Sequence, residues 1–359
     1  MARIDELLKL LKEKSGSDLH LAAGASPRMR IHGELAAIDG RPVLDDAELR
    51  ELLEEITTEA QWAGFCRERD LDFAYGLPGV ARFRANYMVQ ENGAAAVFRI
   101  IPEEILTAEQ LELPQVVSSL ADLEQGLVLV TGPTGSGKST TLAAIIDRIN
   151  ASSARHIVTV EDPVEFVHPN KQAIISQREV GEHTRSFGDA LRAAIRQDAD
   201  VILVGEMRDR ETIGLAITAA EMGMLVFGTL HTNNAAKTID RIIDAFPAEE
   251  QNQVRLSLSE SLAGIVSQLL LPTADGGGRC AVHEILLRTQ GLANVIREGN
   301  TSMLSSIIQS GKGVGMQAMD DELFAMVQEG RIHANDAFMK AGDKARFEPL
   351  LPESVGSGA

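Results

Sequence analysis

The glycine-rich segment GPTGSGKS carries the most specific chemical pattern in the chain. It follows the apolar run LVLVT and precedes TTLAAIIDRI, whose apolar residues recur at helical spacing. Glycines let the backbone wrap closely around a phosphate, and the N–H groups at the start of the helix then face the anion. The pattern predicts an ATP site in which Lys138 contacts the β- and γ-phosphates and the Ser139 hydroxyl ligates Mg²⁺. The predicted nucleotide-binding residues are Gly132, Pro133, Thr134, Gly135, Ser136, Gly137, Lys138, Ser139 and Thr140.

Three further apolar segments end in residues that suit hydrolysis of a phosphate bond. HIVTVED carries Glu161 and Asp162 at its end, VILVGE ends at Glu206, and LVFGTLHT ends near His231. The ligand site of an open parallel sheet lies beyond the carboxyl ends of its strands, so these side chains are expected beside the glycine-rich loop. Glu206 is the candidate for polarising the attacking water. Gly205 stands where a Walker B aspartate is usual, which leaves Mg²⁺ more dependent on the loop serine and on more distant carboxylates.

Each of these features also has an ordinary structural interpretation. The glycines could form a turn by chance, Glu206 could be a solvated residue at a strand end, and His231 could be a structural histidine. Four strands that bring a phosphate loop, two carboxylate sites and a histidine to one sheet edge together favour a hydrolytic centre.

Arginines could complete the site, because the charge that develops on the transferred phosphoryl group needs a cation. ATPase rings commonly take such arginines from a neighbouring subunit, and the sequence does not separate them from arginines in surface salt bridges. Arg185 and Arg192 lie near the motifs in RSFGDALRAAIRQ. The candidates for phosphate contact are Arg82, Arg84, Arg99 and Arg196.

The elements around these motifs predict two domains. Residues 1–101 alternate short strand patterns, among them MRIHGEL and a hairpin around LPG, with one helix over DDAELRELLEEITTEAQWAGF, and predict a small α+β domain. Prolines bound the predicted linker, 102–114. Residues 115–345 are predicted to form a parallel sheet covered by helices, with the part after Ala248 mainly helical around the loop DGGGR. Residues 346–359 are predicted to be a flexible tail.

Composition narrows the class of protein. A net charge of -18 and an aromatic content of 4% disfavour a nucleic-acid partner, although they do not exclude a local basic channel inside an acidic ring. No apolar run approaches the ~20 residues of a membrane-spanning helix, and the N-terminus lacks the pattern of a signal peptide. Two distant cysteines, Cys66 and Cys280, predict neither a metal cage nor a disulfide framework. These features predict a cytoplasmic protein without a transmembrane segment.

Four segments together resemble the boxes of the secretion ATPases that power type IV pili and type II secretion, especially the retraction ATPases of twitching motility. GPTGSGKS resembles the Walker A box, TVEDPVEFVH the Asp box, DADVILVGEMRD the Walker B box and GTLHTNNAAKTIDRIIDAFP the His box. The segment SDLHLAAGASPRMRIHGEL also resembles the opening of the family's PAS-like N-terminal domain. The resemblance therefore covers nearly the whole chain.

This resemblance implies a RecA-like P-loop ATPase domain preceded by a PAS-like α+β domain, with ATP and Mg²⁺ as cofactors. It implies a homohexamer whose nucleotide lies between the two domains of a subunit and is enclosed by a neighbouring subunit. Glu206 would be the catalytic glutamate, Glu161 an Asp-box carboxylate near Mg²⁺ and water, and His231 a sensor of the γ-phosphate. The implied partner is the pilus platform protein of the inner membrane, which would place the chain peripherally on that membrane at the pilus base.

The resemblance also bears on the direction of pilus movement, which is either retraction or extension. Extension and secretion relatives usually carry an additional N-terminal domain and a four-cysteine zinc motif, and their absence here favours retraction. TQGLANVIREGN resembles the retraction signature AIRNLIRE, but Gly291 and Ala293 replace its first alanine and its arginine. A retraction-accessory paralogue, acting with a second retraction ATPase, therefore stays open. The sequence also leaves room for a regulatory ATP switch, an assembly or secretion ATPase, or a nucleic-acid translocase.

Overall fold

A computed structural model describes residues 2–31, 33–101 and 104–351. Pro102 and Glu103 of the predicted linker, and residues 352–359 of the predicted tail, lie outside the described residues. Among the described residues, no helix combines the length and the apolar character that crossing a membrane would require.

The chain forms two compact units. One comprises Met1–Glu104 together with Pro163–Val167, and the other comprises Ile105–Asp162 together with His168–Ala359. Pro163–Val167 thus belongs to the first unit although both neighbouring segments of the chain belong to the second. The sequence did not indicate that Pro163–Val167 would belong to the first unit.

The first unit is a six-stranded antiparallel sheet with helices. Its strand order is β3-β2-β1-β6-β5-β4. The elements are α1 (Ile4–Glu13), β1 (Asp18–Ala22), β2 (Arg28–Ile31), β3 (Glu34–Ala37), α2 (Asp46–Glu54), α3 (Glu59–Glu68), β4 (Asp70–Leu77), β5 (Ala81–Gln90) and β6 (Gly93–Ile101).

Alternate residues of β5 are buried in the core of this unit. Phe83, Ala85 and Tyr87 are fully buried on one face of the strand, as the period of two predicts. The Tyr87 hydroxyl donates a hydrogen bond to the Leu53 carbonyl, 3.1 Å away. Its ring packs edge-on against the ring of Phe98, with 5.9 Å between centroids.

Two predicted elements of the first unit are each divided. The single predicted helix becomes α2 and α3, because Thr58 begins a new helix with a capping box: its hydroxyl accepts from the Gln61 N–H, and the Gln61 side chain accepts from the Thr58 N–H. The predicted strand MRIHGEL becomes the antiparallel pair β2 and β3, with Gly33 at φ 89° in the turn. The hairpin around LPG joins β4 to β5.

The second unit is built on a seven-stranded sheet of order β13-β12-β7-β11-β10-β8-β9. Neighbouring strands are parallel except β12 and β13, which are antiparallel. The elements are α4 (Gln115–Ser118), β7 (Gly126–Thr131), α5 (Lys138–Ser152), β8 (His156–Glu161), β9 (Ile174–Glu179), α6 (Phe187–Ala194), β10 (Val201–Val204), α7 (Arg210–Glu221), β11 (Leu225–Leu230), α8 (Ala235–Asp244), α9 (Ala248–Ser261), β12 (Leu262–Pro272), β13 (Arg279–Leu287), α10 (Gln290–Glu298), α11 (Leu304–Ser310), α12 (Met319–Gln328) and α13 (Ala334–Lys340).

The prediction that the chain is mainly helical after Ala248 is wrong for the hairpin β12–β13, whose strands flank the loop DGGGR. Both faces of β12 are covered, so its sequence is a nearly continuous apolar run without the alternation that identifies a half-buried strand. Helices predominate only after β13. Packed structure also continues into the predicted tail, since Phe347 is fully buried between two short 3₁₀ turns.

Candidate active site

The glycine-rich loop connects the end of β7, a fully buried strand, to the start of α5. Gly137 precedes the helix at φ 85°, and no side chain caps the first turn of α5. A Cβ atom at Gly132 would overlap the Gln268 carbonyl oxygen and the Ser136 hydroxyl. The loop is therefore a close backbone curve whose helix N-terminus suits an anion.

Lys138 is the first residue of α5, and its ammonium group lies against the loop. The Nζ atom donates to the carbonyl oxygens of Gly132, at 2.9 Å, and Pro133, at 3.1 Å. Ser139 and Thr140 follow in the first turn, both half-buried. The Ser136 hydroxyl is buried and has no hydrogen-bond partner among the described residues. The loop thus holds one cation and one unpartnered donor on the segment predicted to bind phosphate.

Gln268 on β12 braces this loop from the neighbouring strand. Its Nε2 donates to the Ser136 carbonyl at 2.7 Å, and its Oε1 accepts from the Thr141 hydroxyl at 2.8 Å. One strand residue earlier, the Ser267 hydroxyl accepts from Thr131 at 2.9 Å. Sequence reasoning missed both contacts, because it assigned this segment to helix and so did not place it beside β7.

Glu161, Glu206 and His231 follow the carboxyl ends of three adjacent parallel strands. Glu161 is the last residue of β8, Glu206 follows β10, and His231 follows β11, which pairs on its other side with the loop strand β7. The loop and the three side chains are therefore distributed along one edge of one sheet. Glu161 Oε1 accepts a hydrogen bond from the Thr159 hydroxyl at 2.7 Å.

The packing of β8 against β10 explains the glycine in place of the usual Walker B aspartate. A Cβ atom at Gly205 would lie 3.2 Å from both the Glu161 Cα and the Val160 carbonyl oxygen. These distances are tighter than ordinary van der Waals contact, so a side chain at this position would require the neighbouring strand to shift by a few tenths of an ångström. The Gly205 carbonyl also accepts from the Thr229 hydroxyl on β11.

Glu206 lies between a guanidinium and an imidazole. Its Oε1 is 2.5 Å from Arg208 Nε and 3.2 Å from His231 Nε2, and its Oε2 accepts from the second guanidinium nitrogen at 2.7 Å. The hydrogen bond from Arg208 lowers the pKa of Glu206 below its usual value, against the opposing effect of burial. The carboxylate is therefore ionised at neutral pH. Arg208 was not among the predicted site residues. It lies two positions after Glu206 in a loop, and residues at that spacing in a loop need not be in contact.

The candidate arginines are divided between the two units. In the first unit, Arg82 donates to the Val164 carbonyl at 2.9 Å, Arg84 pairs with Asp72, and Arg99 pairs with Asp18. In the second unit, Arg196 follows α6, and Arg185 and Arg192 pair with acidic side chains of α6 and α7. Contact between these arginines and phosphate stays a prediction.

A cavity of about 640 Å³ adjoins the loop within the second unit. Its lining includes Thr140 and Thr141 of α5, Gln268 and Leu270 of β12, and His283 of β13. Burial lowers the pKa of His283 to about 4, so the ring is neutral at physiological pH. Its Nε2 atom has no partner among the described residues. The cavity thus presents a mixed lining next to the glycine-rich loop, with apolar side chains such as Leu270 beside the neutral ring of His283 and charged side chains such as Arg279.

Comparison with known proteins gives one consistent result. A family model described as "Type II/IV secretion system protein" matches residues 70–338. The chain is 50% identical to the type IV pilus retractation ATPase PilT of Pseudomonas aeruginosa, over 94% of this chain and 98% of that protein. It is 41% identical to the type IV pilus ATPase PilU of the same organism, over 94% and 88%. A crystal structure of the pilus retraction motor PilT with bound ADP superposes with a TM-score of 0.89 at 44% identity, covering 98% and 100% of the two chains.

The sheet order, the glycine-rich loop and the carboxylates that follow the strands define a P-loop ATPase with a separate α+β unit, and the predicted fold class is confirmed. The chain belongs to the type II/IV secretion system protein family. It is a nucleotide-binding ATPase and is similar to pilus retraction ATPases along nearly its whole length.

Proposed function

We propose that this chain is a motor that hydrolyses ATP to power retraction of type IV pili. The observation that carries the proposal is the 50% identity to the retraction ATPase of Pseudomonas aeruginosa over 94% of the chain. The TM-score of 0.89 against a retraction motor supports it independently. The arrangement of the loop, Glu161, Glu206 and His231 along one sheet edge supplies the groups that such a reaction needs.

In this proposal the loop binds the phosphates of ATP. Backbone N–H groups of the loop and of α5 contact the phosphate oxygens, Lys138 contacts the β- and γ-phosphates, and the cavity beside Thr140 accepts the adenine. Glu206, held ionised, orients the attacking water and accepts its proton. His231 contacts the γ-phosphate region and reports its loss through the Glu206 contact.

The residues also fit Mg²⁺. Among the residues described, no cluster of three or more His, Cys, Asp or Glu side chains could hold a metal ion. Mg²⁺ in nucleotide sites is bound mainly by phosphate oxygens and water, so it needs only the Ser139 hydroxyl, with Glu161 nearby to orient bound water. The chemistry that the ion supplies when bound is neutralisation of charge on the β- and γ-phosphate oxygens.

The proposal includes assembly into a homohexamer, with the inner-membrane pilus platform protein as partner and a location at the pilus base. Ring assembly would bring arginines of one subunit toward the site of the next, where a cation is needed during phosphoryl transfer. Arg82, Arg84, Arg99 and Arg196 are the candidates to contact the phosphates of a neighbouring subunit.

Deletion of the gene in a piliated host tests the proposal. A retraction motor predicts excess surface pili and no twitching, because pili are assembled but not withdrawn. The wild-type chain should restore twitching, and so should Lys340→Ala, which changes an exposed residue of α13. Lys138→Ala should not, because it removes the cation from the loop. Loss of surface pili on deletion would instead assign the chain to assembly.

A retraction-accessory role is the second candidate. Similarity to PilU at 41% identity and the alanine at position 293 favour it. The two roles differ in the purified protein: a motor hydrolyses ATP by itself, with turnover removed by Glu206→Gln. A chain whose turnover is equally low in wild type and Glu206→Gln would be an accessory or regulatory subunit.

A further inference from the structure

Glu284 on β13 binds the N-termini of two helices. Its half-buried carboxylate accepts from the backbone N–H of Ala235, the first residue of α8, at 2.8 Å, and from the backbone N–H of Met319, the first residue of α12. The first N–H groups of a helix lack partners within the helix, and a carboxylate at that end also interacts favourably with the helix dipole. One side chain therefore fixes the starting points of both helices.

The segment before α8 carries His231 and is held at both ends. At one end His231 Nε2 is 3.2 Å from Glu206 Oε1, and at the other the Ala235 N–H binds Glu284. Ala235 is four residues after His231, and the chain bends between them so that the Thr232 and Thr238 hydroxyls are 2.6 Å apart. Asn234 is extended, with φ -157° and ψ 166°, and its side chain caps the first turn of α8.

We propose that Glu284 is a positioning residue for ATP hydrolysis, which holds the start of α8 and thereby keeps His231 against Glu206. Glu284 acts through the segment 231–235, because it binds the last residue of that segment. The inference rests on the proposed function, because it requires His231 to act in hydrolysis. It adds a residue of β13 to the site, although that strand carries none of the four sequence boxes.

Glu284→Ala removes the acceptor, and Ala235→Pro removes the donor. Proline is well suited to the first position of a helix, where its missing N–H costs no intrahelical hydrogen bond, and the extended Asn234 suits a residue that precedes proline. Each variant should lower kcat at least tenfold and change KM for ATP less than about threefold, because the phosphate loop is untouched.

A double-mutant cycle with His231→Ala separates positioning from general destabilisation. If Glu284 acts through His231, Glu284→Ala and Ala235→Pro should lower kcat less than twofold further in the His231→Ala background. Their melting temperatures should fall by equal amounts in both backgrounds, because the lost helix contact is the same.

Asp45→Ala is the matched control. Asp45 also binds the start of a helix, since its carboxylate accepts a hydrogen bond from the Glu48 N–H in the first turn of α2 at 2.8 Å, and it belongs to the first unit. It should lower the melting temperature and leave kcat within twofold of wild type.

The outcomes distinguish the inference from the proposed function. Unchanged kcat in Ala235→Pro, or an equal loss with and without His231, would overturn the role of Glu284 while leaving the motor proposal intact. Wild-type turnover in His231→Ala alone would overturn the role proposed for the histidine, and the role of Glu284 with it. If Glu284→Ala does not fold, Ala235→Pro decides the question, since it removes the same bond from the other side.

Discussion

Arg208 sets the charge of Glu206. Its two nitrogens bind both carboxylate oxygens, at 2.5 and 2.7 Å, and this hydrogen bonding lowers the pKa of Glu206 although burial acts in the opposite direction. A bidentate guanidinium also fixes the plane of the carboxylate, which leaves the edge near His231 in a defined orientation. Arg208 therefore keeps the proposed base ionised and oriented, while making it a weaker base.

Arg208→Ala should move the acid limb of the pH dependence of kcat to higher pH. In the wild type the lowered pKa keeps Glu206 ionised down to below its usual value of 4.5, and activity is lost only when pH falls through that lowered pKa. Without Arg208 the largest contribution that lowers the pKa of Glu206 is lost, so protonation begins at a higher pH than in the wild type. Measuring kcat from pH 3.5 to 8 checks this shift, because the wild-type acid limb lies below pH 4.5. An acid limb at the same pH in both proteins would contradict the assignment of Glu206 as the group that titrates.

At the scale of elements, the strands that carry the site were the easiest to predict. Every residue of β7, β10 and β11 is buried, so each strand is an unbroken apolar run, and each run ends in a residue with clear chemistry. The edge strand β9 was missed because its sequence IISQRE is mixed and only partly buried. The strand β12 was missed because an apolar run of its length also fits a helix.

Because β12 was predicted to be helical, the hydrogen bonds of Gln268 that hold the glycine-rich loop could not be predicted. Gln268 is a buried polar residue within an apolar run, and its partners Ser136 and Thr141 are more than 120 positions away in sequence. Only the register of β12 beside β7 brings them together. The motifs thus identify candidate phosphate-binding residues, whereas the residues that hold those motifs in shape follow from strand order.

Gln268→Ala should weaken both nucleotide binding and the fold. The change leaves the Ser136 carbonyl and the Thr141 hydroxyl without their partner, which costs about 1–3 kcal/mol in a buried site. The loop should then sample other conformations, and KM for ATP should rise about tenfold. Steady-state kinetics and thermal unfolding measure the two effects, with Gln328→Ala at the exposed end of α12 as control. A KM equal to that of the wild type would show that the loop keeps its shape without this brace.

At the scale of the whole molecule, buried histidines and paired carboxylates act on stability in different ranges of pH. Burial lowers the pKa of His168 and of His283, each to about 4, from the usual value of 6.5. In Asp321, hydrogen bonds from Lys312 and Arg346 lower the pKa to about 2, from 3.8. The stability from Asp321 is present above pH 3.8 and is lost only as pH falls toward 2. Between pH 6.5 and 4, these two histidines therefore respond to acid whereas Asp321 does not.

The free energy of unfolding should decrease by about 2 kcal/mol per buried histidine between pH 6.5 and 5. The sign follows from proton binding: below pH 6.5 the unfolded chain binds a proton at each histidine, whereas the folded protein keeps both rings neutral until about pH 4. Mild acid therefore favours the unfolded state. Urea titrations at pH 7 and pH 5 measure the decrease.

His168→Leu and His283→Leu should each remove about half of this decrease, because an apolar side chain of similar size has no proton to bind. Neither change should lower stability greatly at pH 7, since His168 Nδ1 and His283 Nε2 have no hydrogen-bond partner among the described residues. His333→Leu, at an exposed position before α13, should retain the full decrease. If the double variant lost as much stability in acid as the wild type, the response would have to come from groups other than these two rings, and their neutrality in the folded protein would be disproved.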